Sequence, residues 1–175
     1  MKFLTSLFVA ALTFVSSASA DPTPAPQAEP PYMRPISPAL LTRQQVNAMA
    51  QRALDACEKL GFPATVNIVD ADGSLRATFS SDNARIVGLE TAPQKTAAVL
   101  EFKTSSAALQ KRLTTDPAFA AQYGKDKRFL FYPGGLPLFR DGKLVGAIAV
   151  GGARTNDEVC AREGLKAAIF DENKP

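Results

Sequence analysis

Asp141-Gly142 stands between two runs of strand-forming residues, Leu136–Arg140 and Lys143–Val150. A two-residue link of this type joins antiparallel neighbours, because a parallel pair needs a crossover of a dozen residues or more. The same device recurs upstream, where Asp70-Ala71-Asp72-Gly73 separates Ala64–Asp70 from Leu75–Ser80. A calcium loop is the sharper reading of Asp70 and Asp72. It fails, since the glycine follows too soon and the later ligands and closing glutamate are missing. Alternation in Arg128–Tyr132, followed by Pro133-Gly134-Gly135, predicts a further strand before Leu136.

Helical periodicity fills the intervals. Val46, Met49, Ala50, Ala53, Leu54, Cys57 and Leu60 form an i, i+3, i+4 stripe over a helix at about 43–60, with Thr42 as N-cap and Gly61 as stop. Thr91-Ala92-Pro93 predicts the start of a second helix reaching about Lys103. Thr104 or Ser105 caps another stretch to Leu113, Asp116-Pro117 opens a short one ending at Gly124, and Asn156 caps a last helix at about 157–170. The order α-β-β-α-α-β-β-β-α, with tight turns joining antiparallel neighbours, predicts an α+β fold with helices packed on a sheet and excludes a doubly wound one.

Met1-Lys2, an apolar run from Phe3 to Val15 and then Ala18-Ser19-Ala20 have the three-part pattern of a secretory signal peptide over residues 1–20. That run is too short to span a bilayer, so the mature chain is expected to carry no transmembrane segment. Residues 21–38 hold seven of the 13 prolines and read as an extended linker, leaving 39–175 as one domain. The localisation predicted is therefore exported, periplasmic or secreted. A net charge of +3 is too small to point to nucleic acid.

The chain has no histidine, which removes the usual general base, haem ligand and zinc ligand together with every Ser–His–Asp or Cys–His scheme. Its two cysteines, Cys57 and Cys160, both lie on inward helical faces, with Gly164, Ala167 and Ala168 sharing the face of Cys160. A disulfide or two buried thiols fits this pattern, and an oxidising compartment favours the disulfide.

Three places carry potential chemistry. Val150-Gly151-Gly152-Ala153-Arg154-Thr155-Asn156 leads from strand to helix with free N–H groups beside a guanidinium, suited to a carboxylate or phosphate; a plain tight turn fits equally. Pro133-Gly134-Gly135-Leu136-Pro137 leaves backbone unshielded for a planar ligand, with Tyr132 adjacent as a hydrogen-bond donor or ferric-iron ligand, although a simple hairpin turn also explains it. Lys95 is expected in the first turn of its helix, where the macrodipole disfavours a cation, and shares an inward face with Val99 and Phe102. It therefore needs a compensating anion, unless it snorkels to the surface.

Five segments in register resemble the GlcG/HbpS-like family of haem-degrading or haem-binding domains: Thr65–Gly73, Pro93–Ala97, Pro133–Pro137, Val145–Ala153 and Asp157–Ala161. The resemblance implies a profilin- or PAS-like α+β fold with an antiparallel five-stranded sheet and packed helices, a homo-oligomer and a small anionic ligand such as haem. It implies a site built from Lys95, Thr96, Tyr132, Gly134, Gly135, Gly151, Gly152 and Arg154, with Arg76 a further partner for propionates. Without histidine the iron would take Tyr132, Lys95, a methionine such as Met49, or no protein ligand. The function implied is non-catalytic ligand binding. The alternatives are an enzyme or accessory acting on a small organic acid such as glycolate, and an interaction module in redox or iron sensing.

Overall fold

The computed structural model describes residues 40–168 and 170 of the chain; the leader and linker read at 1–20 and 21–38 lie outside the described residues. Four strands form one antiparallel sheet: β1 (Thr65–Asp70), β2 (Leu75–Ser80), β3 (Gly135–Arg140) and β4 (Lys143–Gly151), in the order β2-β1-β4-β3. Both tight turns are as the sequence predicts. Asp141 and Gly142 take φ of 51° and 72°, which suits a two-residue hairpin, and at Asp70–Gly73 the Gly73 N–H donates to the Asp70 carbonyl.

Register sorts the two faces of the sheet. Val66 pairs with Val150, and Ile68 with Ile148, which in turn pairs with Leu136. These large residues pack under helices α1 (Arg43–Lys59) and α5 (Asp157–Leu165) in the main core. Each such side chain contributes about 1.5–3 kcal/mol on full burial. The other face carries Ala147, Ala149 and Gly135, small enough for helix α2 (Ile86–Phe102) to lie close on it. A Cβ on Gly135 would stand 2.9 Å from Val99 Cγ2. Asn67 is the polar exception in this layer, opposite Ala149.

Local signals set the helix ends. Thr42 and Gln45 make a reciprocal capping box on α1, and the chain leaves it with Gly61 at φ 78°, where Phe62 and Gly61 N–H groups bond back to Cys57 and Glu58 carbonyls. Helix α3 (Ser106–Thr115) is capped by Ser105 and α4 (Pro117–Tyr123) by Asp116. Helix α5 crosses α1 at Gly164, where a Cβ would sit 2.8 Å from the Met49 carbonyl oxygen. Cys57 and Cys160 are disulfide-bonded at that crossing, with Cα atoms 5.3 Å apart. No helix among the described residues is long and apolar enough to cross a membrane.

Four expectations need correction. Among the described residues the sheet has four strands, not five. Residues 128–132 alternate correctly, but their backbone bonds to helix α2: Leu130 N–H donates to the Gln94 carbonyl, and Gln94 Nε2 donates to the Lys127 carbonyl. Phe129 and Phe131 then join Phe102, Phe119 and Tyr123 in an aromatic cluster. Helix α2 begins at Ile86, five residues before the predicted Thr91, and holds Pro93 in its interior. Its first turn is anchored by Gly88, where a Cβ would meet Thr65 Oγ1 at 2.7 Å and the Gly151 carbonyl oxygen at 3.0 Å. Asn156 makes no side-chain cap, and α5 ends at Leu165 rather than near 170.

Candidate functional site

Lys95 lies in the third turn of α2, not the first, and is 1% exposed. Its Nζ donates to Asp157 Oδ2 at 2.5 Å and to the Val150 carbonyl at 2.9 Å. Asp157 Oδ1 accepts from the Ala153 N–H at 2.7 Å, so one carboxylate holds both the lysine and the turn that leads into α5. The compensating anion that Lys95 requires is thus inside the protein. Burial pushes the Asp157 carboxyl above its usual range and the Lys95 amine below its own, and their mutual attraction opposes both shifts.

The glycine loop closes over this pair. Gly134, at φ 124°, would place a Cβ 2.6 Å from Asp157 Cβ and 2.9 Å from Lys95 Nζ. Gly135 N–H donates to Ser106 Oγ at 2.8 Å, and Gly151 packs on Thr91 and Gly88. Lys95, Gly134, Gly135 and Gly151 are therefore brought together as a packed clamp tying α2, β3, β4 and α5. Tyr132 is 42% exposed, its ring centroid 5.8 Å from Lys95 Nζ. Arg154 is exposed on the turn after Gly152, with φ 59°. Arg76, the further residue named for propionates, is held on the opposite face by Asp70 Oδ2 at 3.0 Å and the Leu41 carbonyl at 2.9 Å.

Thr96, the neighbour of Lys95, faces elsewhere. It lines an open groove of about 660 Å³ between α2 and the β1–β2 hairpin. The Thr96 hydroxyl is shared between Asn67 Oδ1 at 2.8 Å and the Pro93 carbonyl at 2.9 Å, and Asn67 Nδ2 donates to Thr78 Oγ1 at 2.9 Å, giving the groove a polar strip. Val69, Leu75, Leu100 and Phe129 form apolar walls. Arg128 also lines the groove, its guanidinium doubly bonded to Asp126 and 4.9 Å above the Phe129 ring. Those bonds hold the Asp126 carboxyl below its usual range and raise Arg128. Among the described residues no cluster of three or more Cys, Asp or Glu could hold a metal ion.

Sequence reasoning missed Asn67, Thr78, Arg128 and Asp157 as site residues. Asn67 had a signal, a lone amide inside the apolar strand Thr65–Asp70. Asp157 also had one, as an acid at the start of the last helix.

A family model described as haem-degrading protein HbpS-like matches residues 41–166. The chain belongs to the HbpS-like family. HbpS from Streptomyces reticuli, in a double-mutant crystal structure, superposes with a TM-score of 0.68 at 28% identity, over 85% of this chain and all of that one. A crystal structure of a PduOC–haem complex shares the fold, with a TM-score of 0.70 at 24% identity, covering 77% of this chain and 99% of the other. The corrinoid adenosyltransferase PduO of Salmonella typhimurium is 28% identical over 145 residues, 81% of this chain. This HbpS-like chain spans 42% of that relative's length.

Proposed function

We propose that this protein is an exported, non-enzymatic binder of haem or a similar flat, anionic cofactor, held in the groove between α2 and the β1–β2 hairpin. The observation that carries the reading is the groove itself, about 660 Å³ with apolar walls on both sides, within the range of small-molecule sites. Membership of the HbpS-like family and the PduOC–haem complex on the same fold support it. The groove fits a porphyrin's faces better than its iron. Its lining holds no Cys, Met or Tyr, and the chain has no histidine, so the iron would keep a non-protein ligand. Binding is accordingly weak and of the ferric form.

Titration with ferric haemin is the test. A saturable Soret shift is expected, weakened severalfold by Ala97→Trp, which fills the groove from α2. No saturable shift, or an unchanged affinity in the variant, overturns the reading. Export is tested by N-terminal sequencing of the protein from its native compartment, with a start near residue 21 expected. Self-association is supported by Ile86, Val87 and Leu89, all exposed at the start of α2, with Ile86 at 76%. Light scattering after gel filtration is expected to give a multiple of the chain mass.

A further inference from the structure

We infer that the outer side of α2 is an interface for a second copy of this chain, with two α2 helices lying antiparallel about a two-fold axis at Pro93. The inference rests on the self-association proposed above and goes further by fixing the surface and the direction of the contact.

Helix α2 is apolar on both sides. Its inner side, with Gly88, Ala92, Ala98 and Val99 buried, packs on the protein's own core. Its outer side carries a second apolar row, Ile86, Leu89, Pro93, Ala97 and Leu100. Steps of three and four residues keep such a row on one side of a helix. Ile86 is 76% and Leu89 51% exposed, Pro93 is exposed, and Ala97 and Leu100 are half-buried. A helix apolar all round is normally packed on both sides, and here Ile86, Leu89 and Pro93 are left to solvent.

The order of the row selects the partner. Counted from Pro93, its apolar residues stand four and seven positions away in both directions, so the row reads alike from either end. A two-fold contact requires this, because whatever residue i of one copy touches in the other must touch residue i in return. Antiparallel pairing about Pro93 sets protruding Ile86 and Leu89 of each copy against the recessed Leu100 and Ala97 of the other, with the two prolines at the centre. Charge agrees with the direction. Arg85 stands at one end of the row and Glu101 at the other, both exposed. Antiparallel helices bring each arginine to the end that carries the other copy's glutamate, whereas parallel ones would bring like charges together. Arg128 also attracts Glu101, but its guanidinium is already engaged by Asp126. Ala97 and Leu100 line the groove as well. Second copy and groove ligand therefore contend for the same two side chains, and each weakens the binding of the other.

Sedimentation of the protein and its variants is the test. Association is expected, and Ile86→Glu should weaken it by roughly a hundredfold, since the contact is lost twice in each pair. Ile86 is mostly exposed and a first-turn glutamate suits the helix dipole, so this variant keeps the fold, which a thermal melt checks. Arg85→Glu should weaken association by about tenfold, and Glu101→Arg in the same chain should restore it. Pro93→Cys should give a disulfide-linked dimer on mild oxidation, and Val159→Cys, exposed on α5, should not. Saturation with ferric haemin should weaken association. Association unchanged by Ile86→Glu, or a cross-link through position 159 and none through position 93, overturns the inference and leaves self-association standing. Haemin that binds without weakening association overturns it as well. A protein that stays a monomer at every concentration removes both.

Discussion

Lys95 and Asp157 neutralise one another in a place where neither meets water, and that decides what each is worth. Removing one partner of a buried pair strands the other's charge, which typically costs 3–5 kcal/mol, roughly. Lys95→Met is therefore expected to lower unfolding free energy by about that amount in urea denaturation. A loss below about 1 kcal/mol would mean that water reaches Asp157 in the folded state. Gly134→Ala should be destabilising through the same clamp, because its Cβ would overlap Asp157 and its φ of 124° is one that side-chain-bearing residues rarely adopt. The inward face of Lys95 was legible in the sequence, but its expected place in the first turn was wrong, and the anion that burial requires was not identified. Asp157 lies 62 residues away, and only the β4–α5 turn, pinned by the Ala153 N–H, brings the two together. Asp70 is a second buried carboxylate, with Oδ1 lacking a partner among the described residues and burial raising its pKa. It is held by Arg76, which also bonds the Leu41 carbonyl, so Arg76→Met should loosen the start of the folded domain as well as destabilise it. Faster hydrogen exchange in the first turn of α1 is the measurement.

Between residues and molecule, the elements whose ends are set locally were the legible ones. Both hairpins, the capping box of α1 and the Ser105 and Asp116 caps follow from side chains within four residues of the backbone groups they satisfy. Asp116 gives a test with a definite sign. Its carboxyl is held below the ordinary 3.8, first by the Phe119 N–H and then by Arg112. A depressed carboxyl stabilises the fold above its unfolded value, and the contribution disappears as pH falls through the folded one. Asp116→Asn should therefore lower the melting temperature at pH 7, by a difference that shrinks as the pH is taken below 3.8 and through the depressed folded value. A difference that does not change with pH would show that charge plays no part in this cap. Elements fixed from a distance were misread. Residues 128–132 have a strand's alternation, yet Gln94 captures their backbone and the aromatic cluster their side chains. Pro93 looked like a helix start, but the close approach of Gly88 to Thr65 and Gly151 carries α2 back to Ile86. The groove was illegible for the same reason. Asn67, Thr78 and Thr96 come from three elements, and only the register Asn67↔Thr78 and the small residues beneath α2 align them.

For the whole molecule, the disulfide at the α1–α5 crossing decides how strongly the ends of the domain are held. Cys57 and Cys160 are 103 residues apart in sequence, and both are fully buried in the main core. In the chain-entropy account, a link closing a loop of that length removes about 4–5 kcal/mol of disorder from the unfolded state, an upper figure because unfolded chains keep some structure. The folded state needs the link less. Gly164 already lets the two helices touch, and Met49, Ala53 and Ile148 pack around the crossing. Reduction should therefore leave a folded protein with the same groove and a lower resistance to denaturant. C57A/C160A is expected to unfold at distinctly lower urea concentration than the oxidised protein, with the same Asn67 amide signal before the transition. The proposed export and the link depend on one another, since a reducing compartment would keep both thiols free. Protein isolated from its native compartment and alkylated without reductant should carry no modification at either cysteine after unfolding. Modification at both, with a denaturation midpoint equal to that of the double variant, would show that the domain folds without the link and would overturn the proposed export to an oxidising space.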